Sequence, residues 1–167
     1  IVYIGGGEPM IHPRVQELVE KLVEIPTEVV ISTNGTIYKS IPNEAQIQVS
    51  VWTLNLDLYK EMLKGTENQL NNVKENIKRY ISDGNSVLIN MPVYEKNINE
   101  IQSVSDYADN LRVKLRINPI FPANGFSNNS DLEKKIGDSV FNLKMKGRNI
   151  IYSRNKQKVE RYYQEKC

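Results

Sequence analysis

The feature that most constrains this chain is a repeated pairing. A short apolar run ends in a cluster of glycine, serine, asparagine or proline, and residues at helical spacing follow. The apolar runs are Ile1–Ile4, Glu28–Ser32, Ile47–Val51, Ser86–Val93 and Val113–Ile117. They are short and rich in β-branched residues, as buried strands are. Between them, Val15, Leu18, Val19, Leu22 and Val23 mark one face of a helix that His12-Pro13 opens, with Pro13 at its first helical position. Asp57–Leu63 reads as a short helix closed by Gly65. Leu70, Val73, Ile77 and Ile81 line a longer helix capped by Gly84. Ile98, Ile101, Val104, Tyr107 and Ala108 give another, Asn149–Tyr152 a sixth strand, and Lys156–Lys166 a charged helix. Ser130 or Asp131 is a candidate helix cap, and the charged run from Lys134 onward reads as a solvated face. Strands alternating with helices at about 25–40 residues per unit predict a parallel α/β architecture with right-handed crossovers.

That architecture also predicts where ligands go. In parallel α/β folds they bind outside the carboxyl ends of the strands. Here those ends read Gly5-Gly6-Gly7-Glu8-Pro9, Ser32-Thr33-Asn34-Gly35, Ser50-Val51-Trp52-Thr53, Asn90-Met91-Pro92 and Asn118 to Gly125. They are expected to converge, although strand ends carry turn residues in any case. The glycines offer backbone that a small polar ligand can approach closely. They are not followed by G-K-[ST], nor completed as G-x-G-x-x-G, so a phosphate-binding α/β enzyme is disfavoured. Asn90 is an amide in an apolar strand and must find partners or cost about 1–3 kcal/mol.

Composition removes other classes. A net charge of +2 argues against a nucleic-acid or anionic-membrane partner. No apolar run is long enough to span a bilayer, and no secretory leader is legible. The sole cysteine is Cys167, so no internal disulfide can form, and the reducing cytoplasm is the expected location. Cys167 reads as a free tail thiol, with the first ligand of a C-terminal cluster as the alternative.

From Gly6 to Pro13 the chain reads GGEPMIHP, which resembles the GGEP motif on the second barrel strand of the radical S-adenosylmethionine (radical SAM) superfamily. Further matches follow in order. They are Thr33-Asn34-Gly35, the strand Gln48-Val49-Ser50-Val51, the helix Tyr59–Gly65, the run Asn72 to Gly84, the strand Val87–Pro92 with its central asparagine, and Arg116 to Gly125. The last run resembles the peptide- and protein-modifying subgroup that carries C-terminal iron–sulfur extensions. The resemblance implies a partial (β/α)6 TIM-like barrel with its first strand missing. Residues 1–125 would form strands two to six of the family, and residues 126–167 a C-terminal strand/helix extension.

The resemblance also implies roles. The GGEP turn, with Gly5, Gly6, Gly7, Glu8 and Pro9, would take the SAM amino group through backbone carbonyls. Glu8 would contact the ammonium or brace the loop. Thr33 and Asn34 would line the substrate or methionine side, Ser50 would face SAM, and Asn90 would bond the ribose. Arg116 would pair with the SAM carboxylate, and the backbone from Asn118 would pass the adenine. Trp52 would stack on a ligand or cover a hydrophobic rim. His12 is expected to be structural.

The implied activity is reductive cleavage of SAM by a 4Fe–4S cluster to a 5′-deoxyadenosyl radical, which takes hydrogen from a peptide or small molecule. An external electron donor is required. The family's CxxxCxxC loop is not in this chain. The chain is therefore read as a fragment without its cluster loop and inactive as it stands. The alternative is a cluster-less family member that acts as a binding or scaffold protein.

Overall fold

The computed structural model describes residues 1–120 and 130–152. Six strands form one parallel sheet whose spatial order is the order of the chain. They are β1 (Val2–Ile4), β2 (Val29–Thr33), β3 (Gln46–Ser50), β4 (Ser86–Val93), β5 (Lys114–Pro119) and β6 (Ile150–Tyr152). The helices are α1 (Val15–Val23), α2 (Leu56–Leu63), α3 (Glu67–Ser82), α4 (Ile101–Asn110) and α5 (Ser130–Met145). No described helix is long and apolar enough to cross a membrane.

The two faces of the sheet differ in chemistry. Side chains alternate along a strand, and the register carries that alternation from strand to strand. Ile31 is aligned with Ile47 on one face, and Val49 with Ile89 and Leu115 on the same face, with Met91 and Ile117 beside them. All seven are fully buried or nearly so, in one core with Val19, Val73, Ile77, Val104, Ile136 and Val140 of the helices. Ser32, Gln48, Ser50, Asn90 and Arg116 occupy the alternate positions and so belong to the opposite, inner face.

Helix ends follow their side chains. Thr66 accepts from the Gln69 N–H while the Gln69 side chain accepts from the Thr66 N–H, a capping box that starts α3. Gly84 follows α3 with φ +87°, the left-handed position a glycine fills without strain.

Several expectations are corrected. The Ile1–Ile4 run is not a fully buried strand, because β1 lies at the edge of the sheet and Tyr3 is 62% exposed. Pro13 does not begin α1, which starts at Val15 behind Arg14, and Leu18 is exposed. A 3-10 turn, Pro9–Ile11, comes first. The left-handed residue that closes α2 is Lys64, with φ 55°, and not Gly65. Gly65 is needed for space, since a Cβ there would stand 2.2 Å from the Tyr59 ring. In the Thr33-Asn34-Gly35 turn the left-handed residue is Gly35, where a Cβ would also press on Val49.

Asn118 and Pro119 extend β5 instead of ending it, paired with Pro92 and Val93. Ile120 donates to the Val93 carbonyl, so Pro119 turns its missing N–H toward β6, whose register ends at Ile117–Tyr152. The charged stretch after Lys134 is not simply solvated. It is part of α5, which buries Leu132, Ile136, Val140 and Leu143. The expected helix Lys156–Lys166, Cys167 and the stretch 121–129 lie outside the described residues.

Candidate functional site

Three of the sequence-predicted residues fall in one row. Ser50 on β3 is aligned with Asn90 on β4, and Asn90 with Arg116 on β5. All three are on the inner face, near the carboxyl ends of their strands. Asn90 is buried, whereas Ser50 and Arg116 are partly exposed. The Arg116 guanidinium crosses β4 and donates to Gln48 Oε1 at 2.8 Å. Its partner is therefore a neutral amide, in place of the carboxylate the sequence suggests. One step further along the strands, Pro92 is aligned with Asn118, which is exposed.

The β1 end is built as an open turn. Gly6 and Gly7 have φ of 89° and 54°, and no atom stands within 4 Å of where their Cβ atoms would be. Gly5 lies beside Ser32 on the inner face, its Cβ position 3.7 Å from that of the serine. Glu8 ties this turn to the next strand end. Its Oε1 accepts from the Thr33 hydroxyl at 2.6 Å and from Met10 N–H at 3.0 Å, and Oε2 accepts from Asn34 N–H at 2.6 Å. A carboxylate offers about four acceptor sites, so most of its capacity is used within the chain. Glu8 braces the loop, one of its two expected roles. Pro9 opens the 3-10 turn that Glu8 caps.

Thr33 is buried beneath this brace, and its hydroxyl also accepts from Gly35 N–H at 3.0 Å. It supports the mouth from below. Asn34 is exposed, with Oδ1 accepting from both the N–H and the hydroxyl of Thr36. His12 stays in the turn: its Nδ1 accepts from Arg14 N–H, and its carbonyl accepts from Lys39.

Two cavities open at these strand ends. One of about 300 Å³ is lined by Asn34, Ser50, Trp52, Tyr59, Lys64 and Gln69, among others. Burial raises the Tyr59 phenol above its ordinary value. The other, about 360 Å³, is lined by Trp52, Met62, Leu63, Tyr94 and Ile120. Its wall is apolar, and the Trp52 and Tyr94 rings meet edge to face at 6.2 Å. Trp52 borders both cavities.

The sequence assigns no role to Lys64, Thr53 or Asn97. Lys64 brings a cation to the rim of the smaller cavity. Thr53, buried, donates to Glu100 Oε2 at 2.6 Å and joins the loops after β3 and β4. Asn97, fully buried, bonds the main chain of both loops. Only the polarity of Asn97 beside an apolar helix start could have flagged it. Among the described residues no three His, Cys, Asp or Glu side chains come together as metal ligands, so a 4Fe–4S cluster has no fit there.

No family model matches the chain. Over 50 residues it is 46% identical to 7-carboxy-7-deazaguanine synthase of Rickettsia prowazekii (strain Madrid E), a match over 30% of this chain and 21% of that protein. Its backbone is similar to that of Streptococcus suis SuiB bound to S-adenosylmethionine, with TM-score 0.74 and 16% identity over 90% of this chain and 38% of SuiB. SuiB bound to precursor peptide SuiA gives 0.72, again at 16% identity, over 91% and 38%. TYW1 with a lysine-pyruvate adduct bound gives 0.69 at 14% identity, over 84% of this chain and 49% of that one. The chain thus spans less than half the length of each of these proteins. Six parallel strands in chain order, with these structural matches, show that the chain has the radical SAM fold.

Proposed function

We propose that this chain forms the SAM-binding wall of a radical SAM enzyme. The observation that carries the reading is the row Ser50, Asn90 and Arg116, three polar side chains in register on one face, beside an apolar cavity of about 360 Å³. A zwitterionic nucleoside needs that combination. The Arg116 guanidinium exchanges its neutral Gln48 partner for the methionyl carboxylate, a charge-assisted bond stronger than the one it leaves. Ser50 and Asn90 serve the ribose hydroxyls. The carbonyls of the Gly5–Gly7 turn, held open by Glu8, accept from the ammonium. Trp52, Tyr94 and Ile120 exclude water from the flat base. Asn118, at the exposed end of β5, brings the Pro119–Ile120 main chain toward that base.

For the whole protein we propose the radical SAM reaction, with hydrogen abstraction from a peptide or small molecule and electrons from an external donor. The SuiB structures with S-adenosylmethionine and with a precursor peptide support this assignment. The described residues do not fit the cluster, so no step of that reaction is assigned to them.

Calorimetric titration with SAM tests the site. Saturable binding that S-adenosylhomocysteine competes for and ATP does not is the expected result. No binding of either nucleoside overturns the reading.

A further inference from the structure

We infer that Asn97 is the positioning residue that sets the aromatic wall of the larger cavity. The argument begins with Pro92. Val51 N–H donates to the Asn90 carbonyl at 2.9 Å, so alternate residues of β4 from Asn90 turn their main-chain groups toward β3. Pro92 is the next such residue and has no N–H to give. The β3–β4 ladder therefore stops just where the Trp52 and Tyr94 rings must be held.

Asn97 takes over from the ladder. Its Nδ2 donates one hydrogen to the Pro92 carbonyl and the other to the Trp52 carbonyl, both at 2.8 Å. Its Oδ1 accepts from Tyr94 N–H at 2.9 Å. One fully buried carboxamide thus bonds the main chain of both aromatic residues that line the cavity. Neither a carboxylate nor a hydroxyl replaces it: the first lacks the donors, and the second supplies one donor where two are used. The Thr53–Glu100 bond ties the same two loops further out, which leaves Asn97 to fix the ring positions.

The consequence for binding rests on the SAM reading of this site. A displaced wall weakens recognition of the base and leaves recognition of the amino-acid end alone. Trp52 is the only tryptophan in the sequence, so its fluorescence reports the wall directly. The test uses Asn97→Asp, which keeps the shape and removes the donors, with adenosine and L-methionine as separate probes.

The expected result has three parts. Trp52 emission shifts in the ligand-free variant. Adenosine binding at pH 8 weakens at least about tenfold as the wall shifts, while methionine binding is unchanged. Adenosine binding recovers as pH falls, because a protonated carboxyl regains one donor. Unchanged emission together with unchanged adenosine binding overturns the inference, as does equal loss of both probes.

Should Asn97→Asp fail to fold, Tyr94→Leu removes a ring the clamp holds and spares the clamp. It should weaken adenosine alone and without pH dependence, and wild-type adenosine affinity in that variant also overturns the inference. A wild-type protein that binds neither probe sinks the SAM reading, and the ligand-free emission of Asn97→Asp still decides the clamp.

Discussion

The helix-covered face and the inner face of the sheet are made by alternate residues of the same strands, yet they do different work. In β3 the helix face receives Ile47 and Val49, both fully buried, and the inner face receives Gln46, Gln48 and Ser50, each partly exposed. The first set gains about 25 cal/mol per Å² of apolar surface removed from water. The second leaves polar groups where a ligand can reach them. A one-residue slip would exchange the two faces. The register that protects the core therefore also aligns Ser50, Asn90 and Arg116. Site geometry here is a by-product of core packing, reinforced at the strand ends by the Glu8 and Asn97 bonds.

The largest expected effect comes from the helix face. Ile89 is fully buried between Val49 and Leu115 in register. Ile89→Ala should lower unfolding free energy by about 2–5 kcal/mol, read from urea midpoints. The neighbouring Asn90→Ala should cost much less stability and weaken SAM instead. If the two substitutions cost the same stability, the division between faces fails.

Next in size is Arg116→Met, which keeps the aliphatic stem and removes the charge. SAM affinity should fall about 10- to 100-fold, as expected for a lost charge-assisted bond of about 1.5–3 kcal/mol. The thermal midpoint should barely move, because the bond surrendered within the protein is a single one to Gln48. A large fall in midpoint with intact SAM binding would assign Arg116 to stability and break the comparison from the other side.

A third test concerns Tyr80, the one phenol among the described residues that is fully buried in the helix-side core. Burial is the main cause that pushes Tyr80 up to about 12, and its hydroxyl accepts only a long bond, 3.4 Å, from Lys39 N–H. A free tyrosine loses its proton near pH 10. Between about 10 and 12 the unfolded chain has lost a proton that the folded one keeps, so stability falls as pH rises through that window. At neutral pH the contribution is constant. Tyr80→Phe should leave stability at pH 7 nearly unchanged and flatten the loss between about pH 10 and 12. An unaltered slope would mean that the other phenols raised by burial, Tyr59 and half-buried Tyr107, dominate it.

The comparison also explains what was legible. Strands alternate and helices repeat, so the β4 span Ser86–Val93 could be read to the residue, and the α3 face Leu70, Val73, Ile77 nearly so. The row of Ser50, Asn90 and Arg116 followed once those strands were parallel. The start of α5 is legible at Ser130 or Asp131, but its apolar face Leu132, Ile136, Val140 and Leu143 is not, because lysines and glutamate among them dilute the helical spacing. Glu8 and Asn97 were harder. Their partners lie 25 and 45 residues away, and main-chain groups accept or donate whatever side chain they carry. No periodicity encodes such a bond. The open ends of two strands, one marked by Pro92, were the only trace of it.

The smallest expected effect tests the edge, where the division is least protected. Tyr3 is on the inner face of β1, in register with Val30, and 62% exposed. It lies two rows from the Ser50 level, since Val30 aligns with Gln46 and Ser50 with Asn90. Tyr3→Thr keeps a strand-favouring residue and removes the ring. If the inner face carries chemistry only near the strand ends, stability should change by less than about 0.5 kcal/mol, and SAM affinity should not change. A cost above about 1 kcal/mol would mean that the exposed ring packs against the sheet in solution. The apolar floor that buried Val30 and Leu88 already give the inner face would then reach the sheet edge, and stability and binding would no longer divide cleanly between the two faces.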